Sequence, residues 1–445
     1  MFGVFLMHKI NHITCKGIHS QGVLQYKDRF LRLIACSLIV VLQNSCALLE
    51  LRAQISDLSK LHYFHGEIKA DPPEKGPLIV ILFAKDVEKP KILSYDIMPS
   101  SGAYELVAVP RNFATLHVLA FEDANRNFKY DEQERLAYVA PDPIVTAHYR
   151  ITLHDIRLSV NSPQPPEFVI DLSPSGLAAP IFSMTCCAAP IGTITTLDNT
   201  IFSRKEGESG LWRPFDFISH TRAGIYFLEP YSNDKIPVLF VHGAGGTPAD
   251  WRSIINDLDR KKFQPWVAYY PSGMRLEFSV WLIDQAIEEL QMRLGINRLH
   301  VVAHSVGGLV VREFINRRIE TSRPIPVAHF ISISTPWNGH FGAALGVSHS
   351  PAIVPFWRDI VPNSPFIEKL FRLVWPASID YSLLFGYGDD TVLINGANDG
   401  VVTLDSMLTF PAQMRAKFVY GFSENHVSIL QSSLLHEVIS EVLRN

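Results

Sequence analysis

The sequence predicts an α/β protein: a doubly wound, mostly parallel sheet, preceded by a small all-β, sandwich-like domain. Three observations carry that expectation. From Pro237 onward, short apolar runs alternate with amphipathic stretches of helical period, the pattern of strands and helices wound into one parallel sheet. Before about residue 172, apolar runs are separated by turn residues, with no long helical period between them, the pattern of a β-sandwich. The chain of 445 residues is 47% apolar and only 19% charged, enough to bury a core in each region.

The charge balance narrows the partners. There are 40 Lys and Arg against 44 Asp and Glu, a formal charge of −4 with both signs interspersed and no basic stripe, so nothing points to nucleic acid. The five cysteines, Cys15, Cys36, Cys46, Cys186 and Cys187, show no zinc-ribbon or redox-motif spacing. Cys186 and Cys187 are adjacent, and two thiols are the less strained reading of such a pair.

The N-terminus reads as an export segment. Lys27, Arg29 and Arg32 precede the apolar run Leu33 to Leu42, too short for a membrane span and the right length for a secretory signal core. Gln43-Asn44-Ser45-Cys46 follows, a small residue directly before cysteine. This resembles the bacterial lipoprotein processing site, which implies lipidation at Cys46. Leu42 lies one place too far from Cys46, and Gln43 stands where an aliphatic residue is usual, so an uncleaved membrane anchor stays open beside it. We assign 1–46 to a signal, lipoprotein or anchor segment and 47–64 to a helical stalk, and expect export to the cell envelope or periplasm with membrane association.

Residues 65–172 are assigned to the β module. Pro77 to Phe83, Tyr104 to Val109 and Thr115 to Phe121 are its clearest strands. After the last comes Asp123-Ala124-Asn125-Arg126-Asn127-Phe128-Lys129-Tyr130-Asp131-Glu132-Gln133-Glu134. Asp123, Asn125, Asn127, Asp131 and Glu134 have the oxygen-ligand spacing of a calcium loop. Phe128 stands where glycine is expected, and a polar hairpin loop held by Asx-turns fits the same residues. A structural calcium is therefore one of two readings; no cofactor is expected for the chemistry. Residues 173–209 are assigned to a linker.

Residues 210–445 form the α/β region. Pro237 to Val241 is a continuous apolar strand, of the kind buried on both sheet faces. It runs into His242-Gly243-Ala244-Gly245-Gly246. Thr247-Pro248-Ala249-Asp250 then starts a helix, with a cap, a proline at its first position and an acid in its first turn. Phe263 to Tyr270 is a strand, Val280 to Leu294 a helix, Leu299 to Ala303 a strand, Val306 to Ile319 a helix and Val327 to Ser334 a strand.

The most specific stretch is Ala303-His304-Ser305-Val306-Gly307-Gly308, a serine on a tight turn between an apolar strand and a helix. This is a nucleophile-elbow arrangement with Ala303 in place of the first glycine. The turn lifts the hydroxyl above the sheet edge and brings the residues two before and two after it together, so both must be small; Ala303 and Gly307 are. The amide of Val306, at the helix start, can donate to a developing oxyanion.

Five blocks then resemble the lipase/esterase branch of the α/β-hydrolases: His242 to Gly246, Ala303 to Gly308, Ser334-Thr335-Pro336-Trp337-Asn338-Gly339, Asn398-Asp399-Gly400-Val401-Val402 and Asn425-His426. They stand in that family's chain order and cover roughly the last 230 residues; the N-terminal half is outside the match. The resemblance implies Ser305 as nucleophile, Asp399 as acid and His426 as base, with the amides of Ala244 and Val306 as oxyanion donors. Each residue type suits its task. The imidazole must take the serine proton and return it to the leaving group. The carboxylate fixes the imidazole tautomer and steadies its charged form. Each oxyanion donor contributes roughly 3 kcal/mol or more.

Other residues compete for these tasks. Asp389, Asp390 and Asp405 are alternative acids. His436, His340 and His349 are alternative bases, His436 inside the predicted C-terminal helix and the other two in a predicted loop. His242 and His304 flank the site and read as structural. The insertion 340–380 carries Phe341, Ile353, Phe356, Trp357, Phe366, Phe371, Leu373 and Trp375, which suits either an apolar lid or a helical cover over the sheet.

The expected function is ester cleavage, of acyl or lipid-type esters, by an exported, membrane-associated serine hydrolase. Acyl transfer or amide cleavage would use the same three residues. A binding protein with an inactive hydrolase-like fold is the alternative from another class; the presence of Ser305, Asp399 and His426 together argues against it.

Overall fold

Continuous apolar runs mark the strands buried on both faces, in the β module as well as in the C-terminal sheet. The computed structural model describes residues 50–56, 62–84, 90–108, 116–139, 150–160, 163, 166, 168–172, 192–220, 223–388 and 396–444. The export segment with Cys46, the other four cysteines, Asp389 and Asp390 lie outside the described residues.

The β module has strands β1 (His62–Ala70), β2 (Leu78–Ala84), β3 (Lys91–Met98), β4 (Gly102–Ala108), β5 (Leu116–Glu122), β6 (Leu136–Tyr138), β7 (Arg150–Thr152) and β8 (Ile156–Leu158). They make two four-stranded sheets, one ordered β4-β1-β7 with β8 also on β1, the other β3-β2-β5-β6. Phe64, Ile68 and Leu106 of the first meet Leu78, Val80 and Leu82 of the second in one buried cluster. The other face of β2, Ile79, Ile81 and Phe83, is buried against Phe128, Ile170 and Leu172. Burial on both faces explains why β2 is apolar at every position.

The C-terminal sheet has seven strands: β9 (Gly224–Phe227), β10 (Ile236–Val241), β11 (Phe263–Tyr269), β12 (Leu299–His304), β13 (Val327–Ile333), β14 (Asp380–Gly386) and β15 (Phe418–Phe422). Their order is β15-β14-β13-β12-β10-β11-β9. Every pairing is parallel except that of β9 with β11. The chain leaves β10 toward β11 on one side and returns to β12 on the other. That reversal opens a crevice beyond the carboxyl ends of β10 and β12, where sheets of this kind place their sites.

The helices are α1 (residues 50–56), α2 (Arg204–Trp212), α3 (Pro214–His220), α4 (Arg252–Asn256), α5 (Leu276–Leu294), α6 (Val306–Glu320), α7 (Phe341–His349), α8 (Pro365–Lys369), α9 (Leu404–Met407), α10 (Phe410–Arg415) and α11 (Ser433–Arg444). The start predicted at Thr247 is present as a capping box: Thr247 caps the turn and Asp250 reaches back to the Thr247 amide, 2.8 Å away.

Two expectations need correcting, and one open alternative is decided. The stalk is not helical to residue 64. Leu51 of α1 is fully buried in the C-terminal core, the Asp216 amide donates to Gln54 Oε1 at 2.9 Å, and β1 already begins at His62. The linker ends earlier than 209, because Phe202 is buried edge-on against Tyr226 and Tyr269 at 5.2 and 5.3 Å, and α2 starts at Arg204. The insertion 340–380 is mainly a cover: Phe356, Trp357, Phe366 and Trp375 are buried. Arg312 of α6 stacks on Trp375 at 3.9 Å and donates from Nε to the Leu370 carbonyl at 2.7 Å. Phe341 and Leu345 on α7 stay exposed, at 70% and 48%.

The β module docks on α5 and α6 through polar contacts. Tyr95 donates to Glu289 at 3.3 Å, Arg293 donates to the Leu172 carbonyl at 2.7 Å and lies 3.8 Å over the Phe128 ring. Behind these contacts Arg318, fully buried, is paired with buried Asp284 and Glu288. Each charge in this group is tolerable only because its partners are present.

Candidate active site

Ser305 sits between β12 and α6 with φ 54° and ψ −129°, a conformation that costs a non-glycine residue on the order of 1–3 kcal/mol. The surroundings enforce it. Its amide donates to the Ile333 carbonyl at 2.8 Å and its carbonyl accepts from the Gly308 amide at 3.0 Å. Glycines admit the tight approach. A Cβ on Gly307 would lie 2.6 Å from the carbonyl oxygens of Val241 and His242, and one on Gly243 would lie 2.8 Å from Ser305 Cβ. The loop after β10 thus passes directly over the serine.

Asp399, His426 and Ser305 form one hydrogen-bonded line. His426 donates from Nδ1 to Asp399 Oδ2 at 2.7 Å, and the Ser305 hydroxyl donates to His426 Nε2 at 2.9 Å. All three side chains are buried. Asp399 is fixed by its own turn: Oδ1 accepts from the amides of Val401 and Val402 at 3.0 and 2.7 Å, and its carbonyl accepts from the His426 amide at 2.7 Å. Burial pushes the Asp399 carboxyl up, but the His426 ring beside it and these N–H donors outweigh burial and hold it below its ordinary value.

Of the predicted oxyanion donors, Val306 directly follows Ser305, and Ala244 directly follows Gly243, which lies against it. Val306 opens α6, where an amide has no acceptor within its own helix. Ala244 lies in the loop over the serine. His242, at the loop's start, donates from Nδ1 to the Gly243 carbonyl at 2.8 Å, and its ring stacks on Tyr270 at 4.3 Å. Burial holds His242 down to about 4 and His304 to about 3, so both are neutral near pH 7. Ala303 is fully buried at the end of β12.

The competitors lie elsewhere. Asp405 is exposed in the first turn of α9. His340 is turned to the Val401 carbonyl at 2.6 Å, and His349 is exposed at the end of α7. His436 on α11 faces Asp257 at 2.6 Å and the Leu430 carbonyl at 3.0 Å.

The five calcium-loop residues are close in space but turned inward. Asp123 accepts from the amides of Asn127 and Phe128, Asn125 and Asn127 both donate from Nδ2 to Asp131, and Glu134 accepts from the amides of Ala124 and Asp131. Burial pushes Glu134 up to about 7, so a proton can neutralise it near neutral pH. Among the described residues no group of three or more His, Cys, Asp or Glu is arranged to hold a metal ion. The five residues thus make the hydrogen-bonded hairpin loop that was one of the two readings.

Two residues beside the loop had no motif to announce them. Tyr270 donates from its hydroxyl to the His242 carbonyl, and Ser272 Oγ accepts from the Gly245 amide at 2.8 Å. The only trace in the sequence is polar character directly after an apolar strand.

Residues 236–374 match a family model described as alpha/beta hydrolase fold. Similar solved structures include a mature lipase of Bacillus licheniformis, 17% identical, covering 49% of this chain and 97% of that one with a TM-score of 0.41. A lipase B of Aspergillus fumigatus is 15% identical, covering 50% and 56%, with a TM-score of 0.39. Phospholipase PlaB of Legionella pneumophila, in complex with thio-NAD, is 18% identical, covering 39% and 44%, with a TM-score of 0.34. No curated protein matches significantly. It is the family match, not these likenesses, that bears on the fold. Together with the seven-stranded, mostly parallel sheet and the turn at Ser305, it identifies the C-terminal region of this chain as an α/β-hydrolase fold.

Proposed function

We propose that this chain is a serine hydrolase that cleaves carboxylic esters, of acyl or lipid type, through an acyl-enzyme on Ser305. The observation that carries the reading is the line from Asp399 through His426 to Ser305, with both hydrogen bonds at 2.7–2.9 Å. As Ser305 Oγ bonds to the acyl carbon, its proton passes to His426 Nε2. The tetrahedral oxyanion takes hydrogen bonds from the amides of Ala244 and Val306. The bond to the leaving oxygen breaks, and the alcohol departs with the proton held on His426. Water then gives a proton to His426 and its oxygen to the acyl carbon. Oγ leaves with that proton, and the carboxylic acid is released. Asp399 keeps the imidazole in the tautomer that accepts at Nε2 and balances its charge. Nucleophile, base, acid and oxyanion donors all come from the chain, so the scheme needs no cofactor.

We place the enzyme at the cell envelope, exported and held to the membrane through the segment ending at Cys46; the support is the basic-then-apolar pattern before that cysteine. Among the described residues no helix is long and apolar enough to cross a membrane.

The test exposes the chain and its Ser305→Ala variant to a fluorophosphonate probe and to p-nitrophenyl esters of increasing acyl length. Labelling and turnover present in the wild type and lost in the variant are expected. A folded wild type that neither labels nor turns over any ester would sink the reading.

A further inference from the structure

We propose that Tyr270 and Ser272, on the segment that follows β11, are positioning residues that clamp the loop carrying the oxyanion donor Ala244. The inference rests on the ester-cleavage reading above. The clamp grips the loop at two points. At its start, Tyr270 donates from its amide to His242 Nε2 at 3.4 Å and from its hydroxyl to the His242 carbonyl, while the two rings stack at 4.3 Å and 14°. The other His242 nitrogen donates onward to the Gly243 carbonyl at 2.8 Å. At the far point, the buried Ser272 hydroxyl accepts from the Gly245 amide at 2.8 Å. Ala244 lies between the two points, and Gly243 lies against Ser305.

The clamp is itself tied down. The amide of Gly273 donates to the Gly210 carbonyl of α2 at 2.9 Å, and its carbonyl accepts from the Phe356 amide at 3.4 Å. An amide stabilises a transition-state oxyanion only if its direction is set before charge develops. The loop has the glycines that let it pass over Ser305, and for the same reason it is flexible on its own. Fixing both flanks of Ala244 supplies the stiffness that those glycines remove, so the contribution falls on the tetrahedral state rather than on ground-state ester binding.

The test compares the full-length wild type with Ser272→Ala, Ser272→Thr and Tyr270→Phe. Ser272→Ala should lower kcat about tenfold or more with KM within about twofold, and should weaken inhibition by an alkyl boronic acid, a tetrahedral mimic, by a similar factor. Ser272→Thr, which keeps the hydroxyl, should recover most of both. Tyr270→Phe keeps the stack and should lose several-fold in kcat. Amide exchange of the peptide containing Gly245 should be about tenfold faster in Ser272→Ala. A merely structural role would lower the melting temperature without moving boronate affinity or the split between kcat and KM. Unchanged loop exchange in Ser272→Ala, or kcat and boronate affinity within about twofold of wild type in both Ser272→Ala and Tyr270→Phe, overturns the clamp. Should the wild type turn over no ester, the ester reading fails, and loop exchange still decides the clamp.

Discussion

His304 donates from Nε2 to the backbone carbonyl of His426, 2.8 Å away, and the two rings lie 4.6 Å apart. The residue before Ser305 thus holds in place His426, the base of the proposed mechanism. Burial, helped by the neighbouring His426, keeps His304 neutral by pushing it down to about 3, so the bond does not depend on pH near neutrality. His304→Phe keeps the ring shape and removes the donor. We expect kcat to fall about tenfold, the worth of roughly one such hydrogen bond, with KM little changed. Steady-state kinetics decide it; an unchanged kcat refutes the holding role.

Asp399→Asn should be the sharper lesion. The asparagine can fill the volume, but it no longer fixes the tautomer in which Nδ1 carries the proton. We expect kcat to drop about 10³–10⁴-fold while the fold is retained, by analogy with the loss seen when a triad carboxylate is made an amide. Circular dichroism alongside kcat/KM separates the chemistry from unfolding. The Asp399 carboxyl lies below its ordinary value, so its stabilising contribution is present above the unfolded value of about 4 and is lost only as pH falls below it.

Acid should destabilise the protein well above the carboxylate range. Burial lowers His242 to about 4, His300 to about 3 and His304 to about 3, and it lowers His329 and His340 as well. These groups bind protons more readily unfolded than folded. Their contribution is therefore complete above the unfolded value of about 6.5 and is lost as pH falls toward the folded values. We expect the melting temperature to drop between pH 7.5 and 5. His300 is the cleanest probe, being fully buried with no protein partner on either ring nitrogen. In His300→Leu the drop should be smaller; a variant as acid-sensitive as the wild type would remove His300 from the account.

Ser305→Gly should be inactive yet more stable than the wild type. Glycine adopts φ near 54° without the penalty that serine meets there. The gain is expected at about 1 kcal/mol, the lower part of the range for such strain, offset partly by the freer unfolded chain. Thermal unfolding of Ser305→Gly beside Ser305→Ala tests this, since alanine removes the hydroxyl but keeps the strain. Equal melting temperatures would show that the turn is relaxed.

The residues that could be found from sequence are those whose task forces a local pattern. Ser305 needs small neighbours at 303 and 307, Asp399 a turn that returns amides to its own carboxylate, and Thr247 an acid three places on. Each signal fits within a few residues of chain. Tyr270 and Ser272 left no such signal, because they act on a loop more than twenty residues away and any donor or acceptor at that height would serve. The burial of Phe356, Trp357, Phe366 and Trp375 was equally hidden, since apolar composition does not say which surface a segment covers. The docking of the N-terminal regions depends on pairs such as Tyr95 with Glu289 and Gln54 with Asp216, remote in sequence and unremarkable on either side.

Helix α6 starts at Ser305 and ends in the buried charges of Arg318. At about 1.5 Å per residue, roughly 18 Å of rod separates the two. One terminus bears the proposed nucleophile; near the other, Arg317 faces Glu105 of the β module. The β module is seated on α5 and at this far end of α6, about one helix length from the turn that sets Ser305.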